Sequence, residues 1–324
     1  MILAVDIGNT NIVIGCIEQE KIHFVERVST NISNTELEYV VSFKTLLDLY
    51  GIEVKSITGC IIASVVPPLN NVVKTAMEKL LRISPLLVGP GVKTGLNILM
   101  DNPGQVGSDL IVNAVAGLQY YGAPIILIDM GTATTISVVD EKKNYIGGMI
   151  LPGVKVSLDS LVNRTSQLPK ISLEAPKKVI GRNTIDCMKS GIVMGQAACI
   201  DGMIERIWEE LGQQAAVVAT GGLAGSIVPY CKKKVIHDDE LTLKGLYIIY
   251  CKNMEHAMPC AALAITLAEA GAIMKTSVCF ASETCSTLYW KFLSKVSTRH
   301  LLPVRVSNVI GLIKLNVPQS RCTG

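Results

Sequence analysis

Two short stretches of the chain hold residues suited to phosphate chemistry. The first is Asp6-Ile7-Gly8-Asn9-Thr10-Asn11, entered from the apolar run 2–5 and left by a second apolar run, 12–17. The second is Asp129-Met130-Gly131-Thr132-Ala133-Thr134-Thr135, which follows the apolar run 126–128 and leads into 136–139. Each reads as a β-hairpin with a tight polar turn. A turn built of Gly and small hydroxyl or amide residues exposes several backbone N–H groups, which can wrap a phosphate. Glycine there permits close approach and positive φ. The acid at the strand end can hold a cation that neutralises phosphate charge. One such turn alone is more often an ordinary hairpin. Here, however, Asp6 maps on Asp129 and Gly8 on Gly131 with the same offset of 123. An internal repeat of this size favours a phosphate clamp between two similar lobes.

Two further segments could serve that clamp. Asp109 sits in Gly104-Gln105-Val106-Gly107-Ser108-Asp109-Leu110, at the start of a probable helix. It reads equally as an acid that stabilises a first helical turn or as a carboxylate that orients a substrate hydroxyl and takes its proton. Thr220-Gly221-Gly222 follows a strand and precedes a helix. It is either a tight turn or a backbone lying against a nucleotide. No G-x-x-x-x-G-K-[ST] loop is present and no G-x-G-x-x-G follows a strand, which excludes P-loop and Rossmann sites. His23, His237, His256 and His300 are scattered and suggest no metal cluster. Lys232-Lys233-Lys234 reads as a solvated face.

The elements that must position these residues follow from periodicity. A third strand over 21–28 completes the first hairpin unit. Thr35 and Glu38 form a capping box ahead of a helical stripe of Leu37, Val40, Val41, Phe43, Leu46 and Leu47. A buried strand over 60–66 ends at Pro67-Pro68, and a helix over 71–81 follows. An amphipathic helix over 106–121 links the halves. The second half repeats the hairpin, adds a strand over 145–150, then helices over 184–195 and 198–211, a strand over 215–219 and a helix over 243–251. The expected fold is α/β and duplicated, with residues 1–115 as the N-terminal lobe and 116–253 as the C-terminal lobe.

Composition bounds what remains. The chain has 324 residues, 49% hydrophobic and 18% charged, which excludes a disordered chain. Thirty Lys and Arg against 27 Asp and Glu give no strong pull toward nucleic acid or anionic membrane. The segment 254–324 departs from the rest: it holds seven Lys or Arg, three Glu, no Asp and four of the ten Cys. It reads as an atypical tail: an appended small domain, a poorly structured extension, or an artefactual extension of the protein. The cysteines show no zinc or disulfide spacing, and buried thiols in a reducing cytoplasm are expected. No signal peptide is expected, because Asp6 interrupts the first apolar run. The run 260–274 is too short for a spanning helix and carries Glu269.

Taken together, the two turns, Gly107-Ser108-Asp109, Gly147-Gly148 to Pro152-Gly153, Gly181 to Thr184 and Thr220-Gly221-Gly222 resemble type III pantothenate kinase. The likeness spans about residues 1–253. It implies a duplicated actin-like ATPase (ribonuclease H-like) fold with a nucleotide cleft between two lobes. It further implies ATP-dependent phosphorylation of pantothenate, the first step of coenzyme A biosynthesis, by a cytoplasmic homodimer. Asp6, Ile7, Gly8, Asn9, Thr10, Asn11, Ile12 and Val13 would form the first ATP loop, with Asp6 near Mg²⁺. Thr132 would contact ATP from the second loop, and Asp129 would ligate a monovalent cation, K⁺ or NH₄⁺. Asp109 would be the catalytic carboxylate. Gly107, Ser108, Asp109 and Leu110 would line the pantothenate site, and Thr184 would reach it from the partner subunit. This sequence departs from the family at Leu110, where Arg is usual, and at Met100, often Tyr. The missing Arg would have paired with the substrate carboxylate, so a kinase of another small hydroxylated substrate and a non-catalytic nucleotide-binding regulator are the alternatives.

Overall fold

The computed structural model describes residues 1–254. The atypical segment expected over 254–324 falls, past its first residue, outside them. The first half opens with a meander of β1 (Ile2–Ile7), β2 (Asn11–Glu18) and β3 (Lys21–Ser29). Helix α1 (Glu36–Leu49), β4 (Gly59–Ser64), α2 (Pro67–Leu81) and β5 (Leu86–Leu87) complete it. Then come the two-residue strand β6 (Asn97–Ile98) and helix α3 (Ser108–Tyr121). The second half repeats the meander in β7 (Ile125–Met130), β8 (Ala133–Val139) and β9 (Asn144–Pro152). It continues with α4 (Val154–Arg164), α5 (Thr184–Lys189), α6 (Gly195–Leu211), β10 (Ala216–Thr220), α7 (Ala224–Ile227), β11 (Ile236–His237) and α8 (Leu241–Met254).

The two sheets have one topology. The first runs β3-β2-β1-β4-β5, and the second runs β9-β8-β7-β10-β11 with β6 added beside β9. In both, the first strand pairs antiparallel with the second and parallel with the fourth. The duplication read from sequence is therefore a duplication of fold, and the architecture is the two-lobed, actin-like one. Central strands β1 and β7 are buried along almost their whole length, as strands covered on both faces must be.

Helix α3 lies between the sheets. Val112 and Val115 join the apolar cluster against the first sheet, with Ala4, Ile61 and Ala63. Ala114 and Ala116 join the cluster against the second, with Ile125 and Leu127. All six residues from Val112 to Gly117 are buried, so the middle of the helix has no solvent face, while Gln119 and Tyr120 near its end are exposed. Helix α8 crosses α3 and packs on β1 and β4. The crossing is so close that a Cβ on Gly245 would overlap the Val112 carbonyl oxygen.

Several elements differ from the sequence expectation. The capping box of Thr35 and Glu38 forms, but the buried stripe of α1 is Tyr39, Phe43 and Leu47, at strict four-residue spacing. Leu37 and Val41, two positions before Tyr39 and Phe43, are exposed. Pro67 and Pro68 do not merely end β4: they open α2, where an absent N–H costs nothing. Strand β8 starts at Ala133 rather than 136, carried through its polar threonines by pairing on both sides. The helices expected over 184–195 and 198–211 are continuous, joined by a π-helical turn at Ser190–Met194.

The α3–α8 crossing gives a test. In an exposed helix, Gly to Ala gains about 1 kcal/mol of helix propensity. At Gly245 the added methyl meets a backbone oxygen that cannot rotate away, an overpacking cost of roughly 1–3 kcal/mol or more. Gly245→Ala is expected to lower the melting temperature. An unchanged or raised value in thermal unfolding would show that α8 can shift off α3 at little cost.

Candidate active site

The hairpin tips meet. The hydroxyls of Thr10 and Thr132 lie 2.7 Å apart, across 122 residues of chain. Both tips are closed by an N–H of the glycine: Gly8 donates to the Asn11 carbonyl and Gly131 to the Ala133 carbonyl, each at 3.0 Å. The first tip is also held from outside. Thr30, at the end of β3, donates its hydroxyl to the Gly8 carbonyl at 2.6 Å, and its N–H to the Thr10 carbonyl at 2.9 Å. Asn9, Thr10 and Asn11 are exposed, whereas Ile7 and Ile12 are buried in the first core. At those two positions only the backbone can face a ligand. Behind the second tip, a Cβ on Gly153 would overlap the Thr132 carbonyl, so the entry to α4 backs directly onto that loop.

Three carboxylates gather beneath the tips. Asp6 and Asp129 lie one residue before the ends of β1 and β7, and Asp109 stands in the first turn of α3. Burial pushes the Asp6 carboxyl up to about 8, with further increments from the charges of Asp109 and Asp129. Asp129 is pushed up to about 6 by burial and by Asp109, against a hydrogen bond from Asn113 that favours its charged form. Asp109 is raised by burial, opposed by the N–H of Leu110, which donates to Oδ1 at 2.9 Å. Gly107 allows this placement, since a Cβ there would collide with Asp109 Oδ1. Among the described residues none donates a hydrogen bond to the Asp6 side chain.

This donor set calls for a cation: buried, under-bonded oxygens that repel one another. Among the described residues no three His, Cys, Asp or Glu side chains are placed to hold a metal alone. A cation held by Asp6 or Asp129 would complete its shell with phosphate oxygens and water, the habit of Mg²⁺. The residues fit a metal that arrives with a nucleotide.

Asn113, which the sequence did not single out, supports the site, as do several residues that it did. Asn113, only 2% exposed, donates from Nδ2 to Asp129 Oδ2 at 3.0 Å. Gly221, at φ +94°, lies so close to Asp129 that a Cβ would stand 2.6 Å from Oδ1. Thr220-Gly221-Gly222 is thus a turn packed on the second acid. The Ser108 hydroxyl is bound at 2.9 Å to both the N–H and the carbonyl of Ser64, pinning the start of α3 to β4. Leu110 is half-buried and Met100 is exposed, its sulfur beside Gly147. Thr184 stands apart from the carboxylates. It opens α5 behind the N-cap Asn183 and lines a cavity of about 610 Å³ with Leu161, Leu168, Arg182 and Met188. A self-repeat signal could have found Asn113 only through its one-turn spacing from Asp109. Thr30 and Thr242 carry no motif.

Comparison with known proteins decides the family. The model of the type III pantothenate kinase family matches residues 2–206. The chain belongs to that family. Type III pantothenate kinase from Bacillus cytotoxicus is 45% identical over 253 residues, 78% of this chain and 97% of the relative. The enzyme of that name from Halalkalibacterium halodurans is 44% identical over 254 residues, 78% of this chain and all of the relative. Among solved structures, the activator of the 2-hydroxyisocaproyl-CoA dehydratase from Clostridium difficile with bound ADPNP is similar, at 14% identity and a TM-score of 0.46. That likeness covers 85% of this chain and 99% of the other.

The acids also set how stability follows pH. Each holds its proton to higher pH in the folded protein than in the unfolded chain. Stability therefore falls as pH rises from the ordinary value of 3.8 toward the folded values of about 6 for Asp129 and about 8 for Asp6. Asp6→Asn is expected to raise the melting temperature of the ligand-free protein at about pH 8 and to leave it unchanged near pH 4. A mutant that melts below wild type at the higher pH would show that the Asp6 carboxylate stabilises the fold.

Proposed function

We propose that the chain transfers the γ-phosphoryl group of ATP to pantothenate with Asp109 taking the proton of the attacking hydroxyl. ATP-dependent phosphorylation of pantothenate, the first step of coenzyme A biosynthesis, is the reaction of the family to which the chain belongs. The convergence of Asp6, Asp109 and Asp129 under two touching phosphate-type turns carries the assignment of roles.

In this reading residues 6–13 wrap the ATP phosphates through backbone N–H groups, with donors from Asn9, Thr10 and Asn11. Thr132 adds its hydroxyl from the opposite tip. Asp6 would hold Mg²⁺, and Asp129 a monovalent cation, K⁺ or NH₄⁺. These ions, when bound, neutralise the charge that develops on the transferring group. Phosphoryl transfer passes through a loose transition state, so positioning and charge compensation supply most of the rate. A strong base is unnecessary. Burial raises the pKa of Asp109 above the ordinary carboxylate value, and its place in the first turn of α3 suits it to orient the primary hydroxyl and accept its proton late.

Gly107, Ser108 and Leu110 line the pantothenate side of Asp109, and Thr184 of the partner subunit closes it in a homodimer. Exposed apolar side chains beside Thr184 support that interface: Val179, Ile180 and Ile185 all face solvent in the single chain. Leu110 brings no charge to the substrate carboxylate. Backbone N–H groups near the start of α3, together with the Thr184 hydroxyl, take the place of the family's Arg. A cytoplasmic location belongs to the same reading. Cys16, Cys60, Cys187, Cys199 and Cys231 form no disulfide, and no helix among the described residues is long and apolar enough to cross a membrane.

Asp109→Asn tests the central role. It is expected to lower kcat by about 10²–10⁴-fold while ATP binding by calorimetry stays near wild type. Near-normal turnover would remove Asp109 from the mechanism. The cation assignment is checked by exchanging K⁺ for Na⁺ or Li⁺ at constant ionic strength. The rate is expected to fall sharply, and an unchanged rate would sink the role given to Asp129.

A further inference from the structure

Asn113 is a buried amide with both ends committed. Its Nδ2 donates to Asp129 Oδ2 at 3.0 Å, and its Oδ1 accepts the hydroxyl of Thr242 at 2.8 Å. The direction of this chain is fixed by chemistry. An ionised carboxylate can only accept, so the amide must offer its nitrogen to Asp129 and its oxygen to Thr242, whose hydroxyl then donates. Asn113 also stands four residues after Asp109, so both project from one face of α3 a single turn apart. Asp129 belongs to the second sheet, and α3 is wedged between the sheets. Thr242 opens α8, which lies against α3 at Gly245 with no room to slide.

We infer that Asn113 is a positioning residue for phosphoryl transfer. It ties the carboxylate of Asp129 to the helix that carries Asp109, and the Thr242 hydroxyl locks the amide in the orientation that does so. The bond occupies Oδ2 and leaves Oδ1 on the side of Gly221 and Gly131, neither of which has a side chain to cover it. One carboxylate oxygen is thereby anchored and the other is presented to the cleft. Without the amide, the carboxylate could rotate, and its distance from Asp109 would no longer be set by one helical turn. The inference rests on the phosphoryl-transfer reading above.

The test compares Asn113→Ala, Thr242→Val, Thr242→Ser and Asp129→Asn in the full-length protein. Outer hydrogen-bond partners of this kind are typically worth about 10- to 100-fold in activity or ion affinity. Asn113→Ala is expected to lower kcat in that range with little change in KM for pantothenate. The melting-temperature rise given by Mg²⁺-ADP, measured with and without K⁺, is expected to lose its K⁺ dependence. Thr242→Val should show the same changes in weaker form, and Thr242→Ser, which keeps the donor, should restore wild-type values. If Asn113→Ala does not fold, the Thr242 pair decides: equal kcat and equal K⁺ dependence in the Val and Ser variants overturn the proposal. Loss of thermal stability with an unchanged kcat would make Asn113 a structural residue only. Full turnover in Asp129→Asn would instead bring down the phosphoryl-transfer reading of the site. An inactive Asp129→Asn beside a fully active Asn113→Ala would leave that reading standing and overturn the positioning role alone.

Discussion

Three carboxylates that repel one another share a space poorly reached by water, and the rest of the structure is arranged around holding them there. Asp6, Asp109 and Asp129 come from two strands and one helix, none adjacent in sequence. Left to themselves they would separate or take up protons, as their raised pKa values express. The fold keeps them together because each is set in an element whose other residues are buried among aliphatic side chains. The repulsion is a strain that a bound cation would relieve, so cation binding and local stability are two faces of one charge balance.

The duplicated architecture explains how the strain is shared. Each sheet contributes one hairpin tip and one acid, and the tips face each other through Thr10 and Thr132. The third acid belongs to neither sheet. It comes from α3, whose small residues Ala114, Ala116 and Gly117 let the second sheet approach while Val112 and Val115 fill the side facing the first. A helix with a solvent face could tilt when a lobe moved. The middle turns of this one are enclosed by both sheets and α8, and its start is pinned by Ser108 on Ser64.

Much of this was legible in the sequence, because the informative features were local. The two Asp-x-Gly turns, the offset that relates them, the capping box and the apolar strands are all short-range patterns whose physics does not depend on distant packing. The fold class and both hairpin turns followed from them, and Asp109 stood out by its place at a helix start. What escaped notice depends on long-range contact. Asn113 looks like any polar residue in a helix until Asp129 and Thr242 are brought to either end of its amide. Thr30 caps the first tip from the far end of a strand with no motif to announce it. In α1 the sequence stripe found Phe43 and Leu47 but added Leu37 and Val41 and missed Tyr39, because these side chains are comparably apolar and only the core beneath decides between them. The π-helical turn at Ser190–Met194 leaves no mark in the pattern of residue types.

The two-residue strand β6 bears on how the duplication is held as one protein. Residues Asn97 and Ile98 come from the first half of the chain, yet they pair with Asn144 and Tyr145 at the edge of the second sheet. Asn97 also donates its side-chain amide to Asn144 at 2.6 Å. The repeat is therefore not two modules in series but two modules laced together. If the chain were separated at the midpoint of α3, the second fragment would lack its sixth strand and the first would carry an orphan one. Break points for reassembly from fragments are better sought in an exposed connection such as 165–183, which lies wholly within one half.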